Sequence, residues 1–386
     1  MDTGSPSLVH WPDPAPDPPS GYLDAVAGQP VLPIARRAFS AALEQAWSDP
    51  ARLHHSGRRA GLLLDTSRSA IATFLGVRPA DTFVGPSAAD LLRACIGGLF
   101  AARVAAGAPP RILVGASESM AVLFAARSCP GADVVTVPVA DTAAVQLSEF
   151  EDQLRVGAAL ACIQLANAEV GTRQPVEVAH ALSRDHGIPL VSDATQVAGH
   201  DEIGRSWDAL VASPRDWGAP PGSAVLAVQP TTRWQPPEAP DRGWVGGFPD
   251  VAAAAAAAAA AEYVGPVWHE QAVVHRAMVE RIRAAISSMP GVRAVGDPQD
   301  RLPHIVTVIA DDAIGELIVT DLDARGVSIA SGSACTADNR MPSHVLEAMG
   351  IDTPASLRIS LPYGCTDASI DALLAALPAA LAQARR

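Results

Sequence analysis

Short apolar runs and longer amphipathic stretches alternate along most of this chain. RILVG from Arg111, VVTVPV, LACIQLA, PLVSDAT, ALVAS and SAVLAV each hold a few consecutive apolar residues bounded by turn formers. Runs of that length predict buried strands, and the three-to-four-residue periodicity between several of them predicts helices. The alternation predicts an α/β fold with a mainly parallel sheet flanked by helices on both faces. Val251 then leads into ten consecutive alanines, Ala252 to Ala261, followed by a mixed segment to Met289 interrupted at Gly265 and Pro266. Alanine's propensity makes this a helix with a break at the Gly-Pro pair. After Pro290 the order is a strand HIVTVIA, a helix through Leu317 to Leu322, VSIASGSAC, a short helix near His344, a strand SLRISL and a last helix from about Thr366, which together predict a smaller α/β domain. The expected organisation is a proline-rich arm over 1–20, extended or disordered because WPDPAPDPPSG can hold neither helix nor ladder, then a large domain over 21–258 and a small one over 259–386.

Composition narrows the function classes. A chain of 386 residues, 49% hydrophobic, can bury the core of two domains. No apolar stretch has the length of a membrane span, and no basic region followed by an apolar run opens the chain, so a cytoplasmic protein is expected. Net charge −13 disfavours nucleic acid and anionic membranes as partners. Cys95, Cys129, Cys162, Cys335 and Cys365 are odd in number and lack paired spacing, which points to free thiols and to no metal site. Lysine is absent altogether; all 28 basic residues are arginine. A high-GC coding bias accounts for that on a surface.

Three residues stand out chemically. Asp193 ends the apolar run PLVSD, where an open α/β sheet meets its ligand, although a loop or capping aspartate is the plainer reading; Gln196 sits three residues on. Cys335, in SGSACTADN, is flanked by small residues that allow a mobile loop, suited to a thiol moving between donor and acceptor; a lone cysteine is more often an inert core residue. Arg358, inside SLRISL, can clamp a carboxylate or serve a structural ion pair.

In order, YLDAVAGQPV from Tyr22, SDPARLHHSGRRA from Ser48, LANAEVGTRQPV from Leu165, VSDATQVAG from Val191, SGSACT from Ser331, and PSHVLEAMG to LRIS resemble the cysteine desulfurases, of the class V aminotransferase group, over nearly the whole chain. The resemblance implies the fold type I architecture of pyridoxal-phosphate enzymes and a cysteine, here Cys335, that takes up sulfur as a persulfide. It further implies that Asp193 meets the pyridine nitrogen, Gln196 the phenolic oxygen, Ser213 the phosphate and Arg358 the substrate carboxylate, with Asn167 beside the substrate. It places Arg215 at a family histidine and Asp216 at the Schiff-base lysine.

An aspartate has no amine with which to form a Schiff base. Other departures cluster with it: Pro86 and Ala88 at a glycine and a phosphate-binding threonine, Ser119 after Glu118 where the ring-stacking histidine belongs, Ala168 at an asparagine, and Gly247 near a threonine that members lend across a dimer. Arg215 can supply a new positive charge, or an ion pair. The expectation is therefore a desulfurase-like protein that has lost Schiff-base chemistry and works as a partner subunit, a scaffold or a Cys335-based sulfur relay. The alternative is an enzyme holding pyridoxal phosphate noncovalently, or another ligand, with Asp216 as acid or base. A homodimer, a heterodimer with an active desulfurase and a sulfur-acceptor protein are the expected partners, the dimer following from the family and from the alanine-rich helix.

Overall fold

The computed structural model describes residues 9–236, 239–331, 343–353 and 355–385. Helices α1 (Pro33–Gln45) and α2 (His55–Phe74) open the large body. They are followed by β1 (Thr82–Gly85), α3 (Ala88–Ala105), β2 (Arg111–Gly115), α4 (Met120–Arg127), β3 (Asp133–Val137), α5 (Leu147–Val156), β4 (Leu160–Cys162), α6 (Val176–Asp185), β5 (Leu190–Asp193), β6 (Ala209–Ala212) and β7 (Ala224–Val228). The seven strands form one sheet in the order β1-β7-β6-β5-β4-β2-β3. Strands β2 to β6 run parallel, while β7 is antiparallel to both of its neighbours, β6 and β1. The central strands β4 to β7 are buried at every position, as both-face coverage by helices requires.

The alanine run forms α7 (Val251–Val264), capped by Asp250, whose carboxylate accepts from the Ala253 amide. It lies against α1 and α2, and of its ten alanines all but Ala259 are buried within the chain. Small side chains let three helices approach closely, so the alanine run serves an interior contact and gives no support to the dimer expected from it. The domain boundary expected between residues 258 and 259 falls inside this helix. The helix continues unbroken to Val264, and the change of packing comes at the Gly265–Val267 turn, after which α8 (Trp268–Ile286) joins a second core.

That second core is built on β8 (Val292–Val295), β9 (Ile305–Ala310), β10 (Ala330–Ser331) and β11 (Ser356–Ser360), an antiparallel sheet in the order β10-β11-β9-β8. Helices α9 (Gly315–Ala324), α10 (His344–Ala348) and α11 (Asp367–Ala384) complete it. The segment after Tyr22 joins the two bodies: Leu23 N–H donates to Ser328 O, and Ala25 N–H donates to Ser360 O.

From Val9 to Ser20 the proline-rich arm is extended and held in place. Trp11 stacks on Tyr263 of α7 at 5.6 Å and meets the Tyr363 ring edge-on at 5.5 Å. Tyr263 Oη donates to the Pro12 and Pro14 carbonyls, and His10 N–H donates to Glu270 of α8. Side chains from both bodies therefore satisfy a backbone that cannot pair with itself.

Candidate functional site

Strand β5 delivers Asp193 to the carboxyl end of the sheet, buried to 7% exposure. Its Oδ1 accepts from the Thr195 amide at 2.9 Å and its Oδ2 from Ser119 Oγ at 3.2 Å. Ser119 caps α4 and holds Asp193 at the same time. Burial pushes the Asp193 pKa up, and the bonds from Thr195 and Ser119 restrain the rise.

Strand β6 runs into a tight turn, Pro214–Trp217, that closes at Gly218 in the left-handed region (φ 87°). This turn puts Ser213 at the edge of the site, Arg215 outside in solvent and Asp216 inside, 3% exposed. Gln196 Nε2 donates to Asp216 Oδ1 at 3.1 Å. Burial raises the Asp216 carboxyl to about 7; Arg215 and the bonds from Ser213 and Gln196 lower it, and the charge of Asp193 raises it again. Asp193, Gln196, Ser213 and Asp216 are thus brought together. Glu118 lies in the same electrostatic neighbourhood, with Oε1 accepting from the Gln164 amide, Oε2 without a partner and its pKa pushed up to about 8 by burial. Three carboxyls with raised affinity for protons now share this end of the sheet.

Asn167 is 2% exposed and fully engaged: Nδ2 donates to Ser117 O, and Oδ1 accepts from the Glu169 and Val170 amides. Arg358, on β11, pairs with Asp24 at 3.0 Å while its Nε has no partner. Cys335 lies outside the described residues, as does the rest of its loop from 332 to 342; the flanking Ser343 donates to Glu169 at 2.6 Å.

Behind Asp216 stands a layer that sequence reasoning missed. The His200 Nε2–H donates to the Asp216 carbonyl at 2.9 Å, the ring of His200 stacks on His304 at 3.9 Å and on Tyr363 at 4.8 Å, and His275 follows at 6.3 Å from His304. Tyr363 Oη donates to Gly199 O, and Gly199 (φ 85°) has no room for a Cβ beneath that hydroxyl. Burial depresses the three imidazoles, His200 to about 4, His275 to about 3 and His304 well below its usual value. They are neutral, with the hydrogen on Nε2 where His200 and His275 face carbonyls. Position 200, seven residues beyond Asp193, was the sole local signal; His275, His304 and Tyr363 come from distant segments.

The cofactor that the resemblance implies does not fit these residues in its covalent form. No lysine exists to receive it, and the inner face of the turn after β6 presents a carboxyl. The start of α3 is closed by its own side chains: Ser87 Oγ accepts from the Asp90 amide and donates to the Asp90 carboxylate at 2.5 Å. An anionic phosphate there would meet Asp90 in the helix position that otherwise favours anions. Among the described residues no group of three or more His, Cys, Asp or Glu side chains is placed to hold a metal ion, and no single helix is long and apolar enough to cross a membrane.

Comparison with known proteins agrees with this architecture. The sequence profile of the family described as "Aminotransferase class-V" matches residues 22–373. An "IscS-like cysteine desulfurase" of Mycobacterium tuberculosis is 31% identical, over 95% of this chain and 97% of its own length. A "Cysteine desulfurase" of Cereibacter sphaeroides is 30% identical, over 94% and 96%. Among solved structures, a "NIFS-LIKE PROTEIN" superimposes with a TM-score of 0.85 at 23% identity, covering 94% of this chain and all of that one.

Proposed function

The chain belongs to the cysteine desulfurase family of class V aminotransferases, and from that premise we propose that it is a member that has given up Schiff-base catalysis and serves as a non-catalytic sulfur-handling subunit. The observation that carries this reading is Asp216: a buried carboxyl hydrogen-bonded to Gln196 occupies the place where the family resemblance puts the lysine. Supporting it are Ser119, committed to Asp193, and the self-capped start of α3. Each charge-assisted bond to a phosphate contributes about 1.5–3 kcal/mol, so losing several removes most of the cofactor's hold.

The retained SGSACT sequence gives the subunit its part in sulfur traffic. The Cys335 thiolate attacks the outer sulfur of a donor persulfide, the donor leaves as a thiolate, and Cys335 carries the persulfide to an acceptor protein. No oxidant is consumed, because the sulfur moves between two thiols. A dimer, either with itself or with an active desulfurase, is the assembly this role requires.

The test is incubation with pyridoxal phosphate, borohydride reduction and mapping by mass spectrometry, in parallel with sulfide release from free cysteine. We expect no pyridoxyl adduct on any side chain and no sulfide. An internal adduct, or turnover of cysteine, overturns the loss of catalysis. Loading with a persulfide donor should add 32 Da, the mass of one sulfur, to Cys335; an unmodified Cys335 overturns the relay while leaving the first conclusion intact.

A further inference from the structure

At the opposite end of the large sheet three arginines converge on a pocket of about 250 Å³ that the cleft does not use. Arg103 comes from the last turn of α3, Arg184 from the last turn of α6, and Arg233 from the segment after β7, together with Thr231, Thr232 and Asp208. Asp208 precedes β6 and the pocket reaches Pro189 before β5, whereas Asp193 ends β5. The two sites are therefore separated by the length of the strand, roughly 10 Å at 3.3 Å per residue.

The side chains are arranged to leave donors free. Arg103 is fixed by two carbonyls, Nε donating to Ala159 O at 3.3 Å and Nη2 to Gly187 O at 2.7 Å, and its Nη1 has no partner among the described residues. Arg184 and Arg233 are exposed and make no ion pair with any described residue. The pocket's carboxylate is already engaged: Asp208 Oδ2 accepts from the Leu190 amide at 2.8 Å and lies 3.3 Å from His180 Nε2, and Oδ1 is 3.5 Å from the Thr232 hydroxyl. What remains is the Arg103 Nη1, the guanidiniums of Arg184 and Arg233 and the Thr231 hydroxyl around a small concavity.

We propose that this pocket binds a small phosphate-bearing anion. Guanidinium forks match phosphate oxygens in pairs, and the donors outnumber what the two oxygens of a carboxylate can accept. The volume is below that of pockets that enclose a drug-sized ligand, so the occupant is of phosphate to pyrophosphate size or the phosphate end of a larger molecule. The chain as a whole repels anions at net charge −13, so an anion held here is held by local geometry and not by the overall field.

Calorimetric titration of the full chain with pyrophosphate tests this, with sodium chloride at matched ionic strength as baseline and succinate as a dicarboxylate comparator. Saturable binding of pyrophosphate is expected, weakened at least tenfold in the R184A/R233A double variant and unchanged in R215A. Both substituted positions are exposed, and circular dichroism checks that the double variant is folded; R233Q, which keeps a polar side chain, should show a smaller loss in the same direction. No saturable binding, undiminished binding in the double variant, or succinate binding as tightly as pyrophosphate overturns the proposal. Loss of binding in R215A instead would place the anion at the exposed turn after β6 and also overturn it.

Discussion

Asp216 shows how its surroundings hold a buried carboxyl. An aspartate placed alone at a buried site would be an uncompensated charge; here Gln196 and Ser213 hydrogen-bond to it, and its pKa of about 7 lets it hold a proton at lower pH. Asp216→Asn keeps the acceptor for Gln196 Nε2 and removes the ionisation. It should raise stability at pH 8 by about 1–3 kcal/mol or more and change little below about pH 4, measured by denaturant titration. Ser119→Ala should act oppositely, by about 1 kcal/mol or more, since it removes both the α4 cap and the bond to Asp193. The departures at positions 119 and 216 were legible in the sequence because they fall within ordered motifs. Their mutual satisfaction was not, because hydrogen-bond partners 74 residues apart, such as Ser119 and Asp193, leave no local pattern.

At the level of elements, α7 and the arm do the most to hold the site in place. Trp217 Nε1 donates to Ala257 O, and Ala253, Ala256 and Ala260 are completely buried. Ala256→Leu should therefore overpack the junction and lower stability by about 1–3 kcal/mol, read as a reduced melting temperature. The arm lies ahead of the family match, which begins at residue 22, yet Trp11 rests on Tyr363, which stacks on His200 behind Asp216. Trp11→Ala should cost about 2 kcal/mol and increase hydrogen exchange around 199–201 and 363, even though the segment looks dispensable as sequence. Helix and strand identities were readable from periodicity over most of the chain. The strands β1 (TFVG) and β8 (VRAV) were not, because neither holds a run of more than two consecutive apolar residues among turn and polar neighbours.

For the whole molecule, buried titratable groups of two kinds set the response to pH. The histidines His200, His275 and His304 have folded pKa values below the ordinary 6.5, so they contribute stability that is lost as pH falls from that value toward 4 and 3. Asp216 and Glu118 have folded values raised to about 7 and 8, so folding favours their protonated forms and stability declines as pH rises from about 4 toward 8. The two trends oppose one another up to about pH 6.5, above which only the carboxyls act. The melting temperature should therefore fall between pH 6.5 and 8.5; a flat or rising profile there would contradict ionisation of this buried pair. The assembly is checked separately by light scattering at micromolar concentration, where a dimer is expected for the subunit role.

The amino-acid sequence by itself determined the α/β class, the family and the loss of every lysine, since periodicity, motif order and composition are properties of the chain read in one dimension. Only the tertiary structure decided what stands against Asp216, that the alanine helix is interior, that the arm is tied to both bodies and that three arginines meet at the far end of the sheet. The reason is physical: protonation, packing and ligand geometry depend on groups brought within a few ångströms by folding, and His275, His304 and Trp11 reach the neighbourhood of Asp216 from segments that share no local signal.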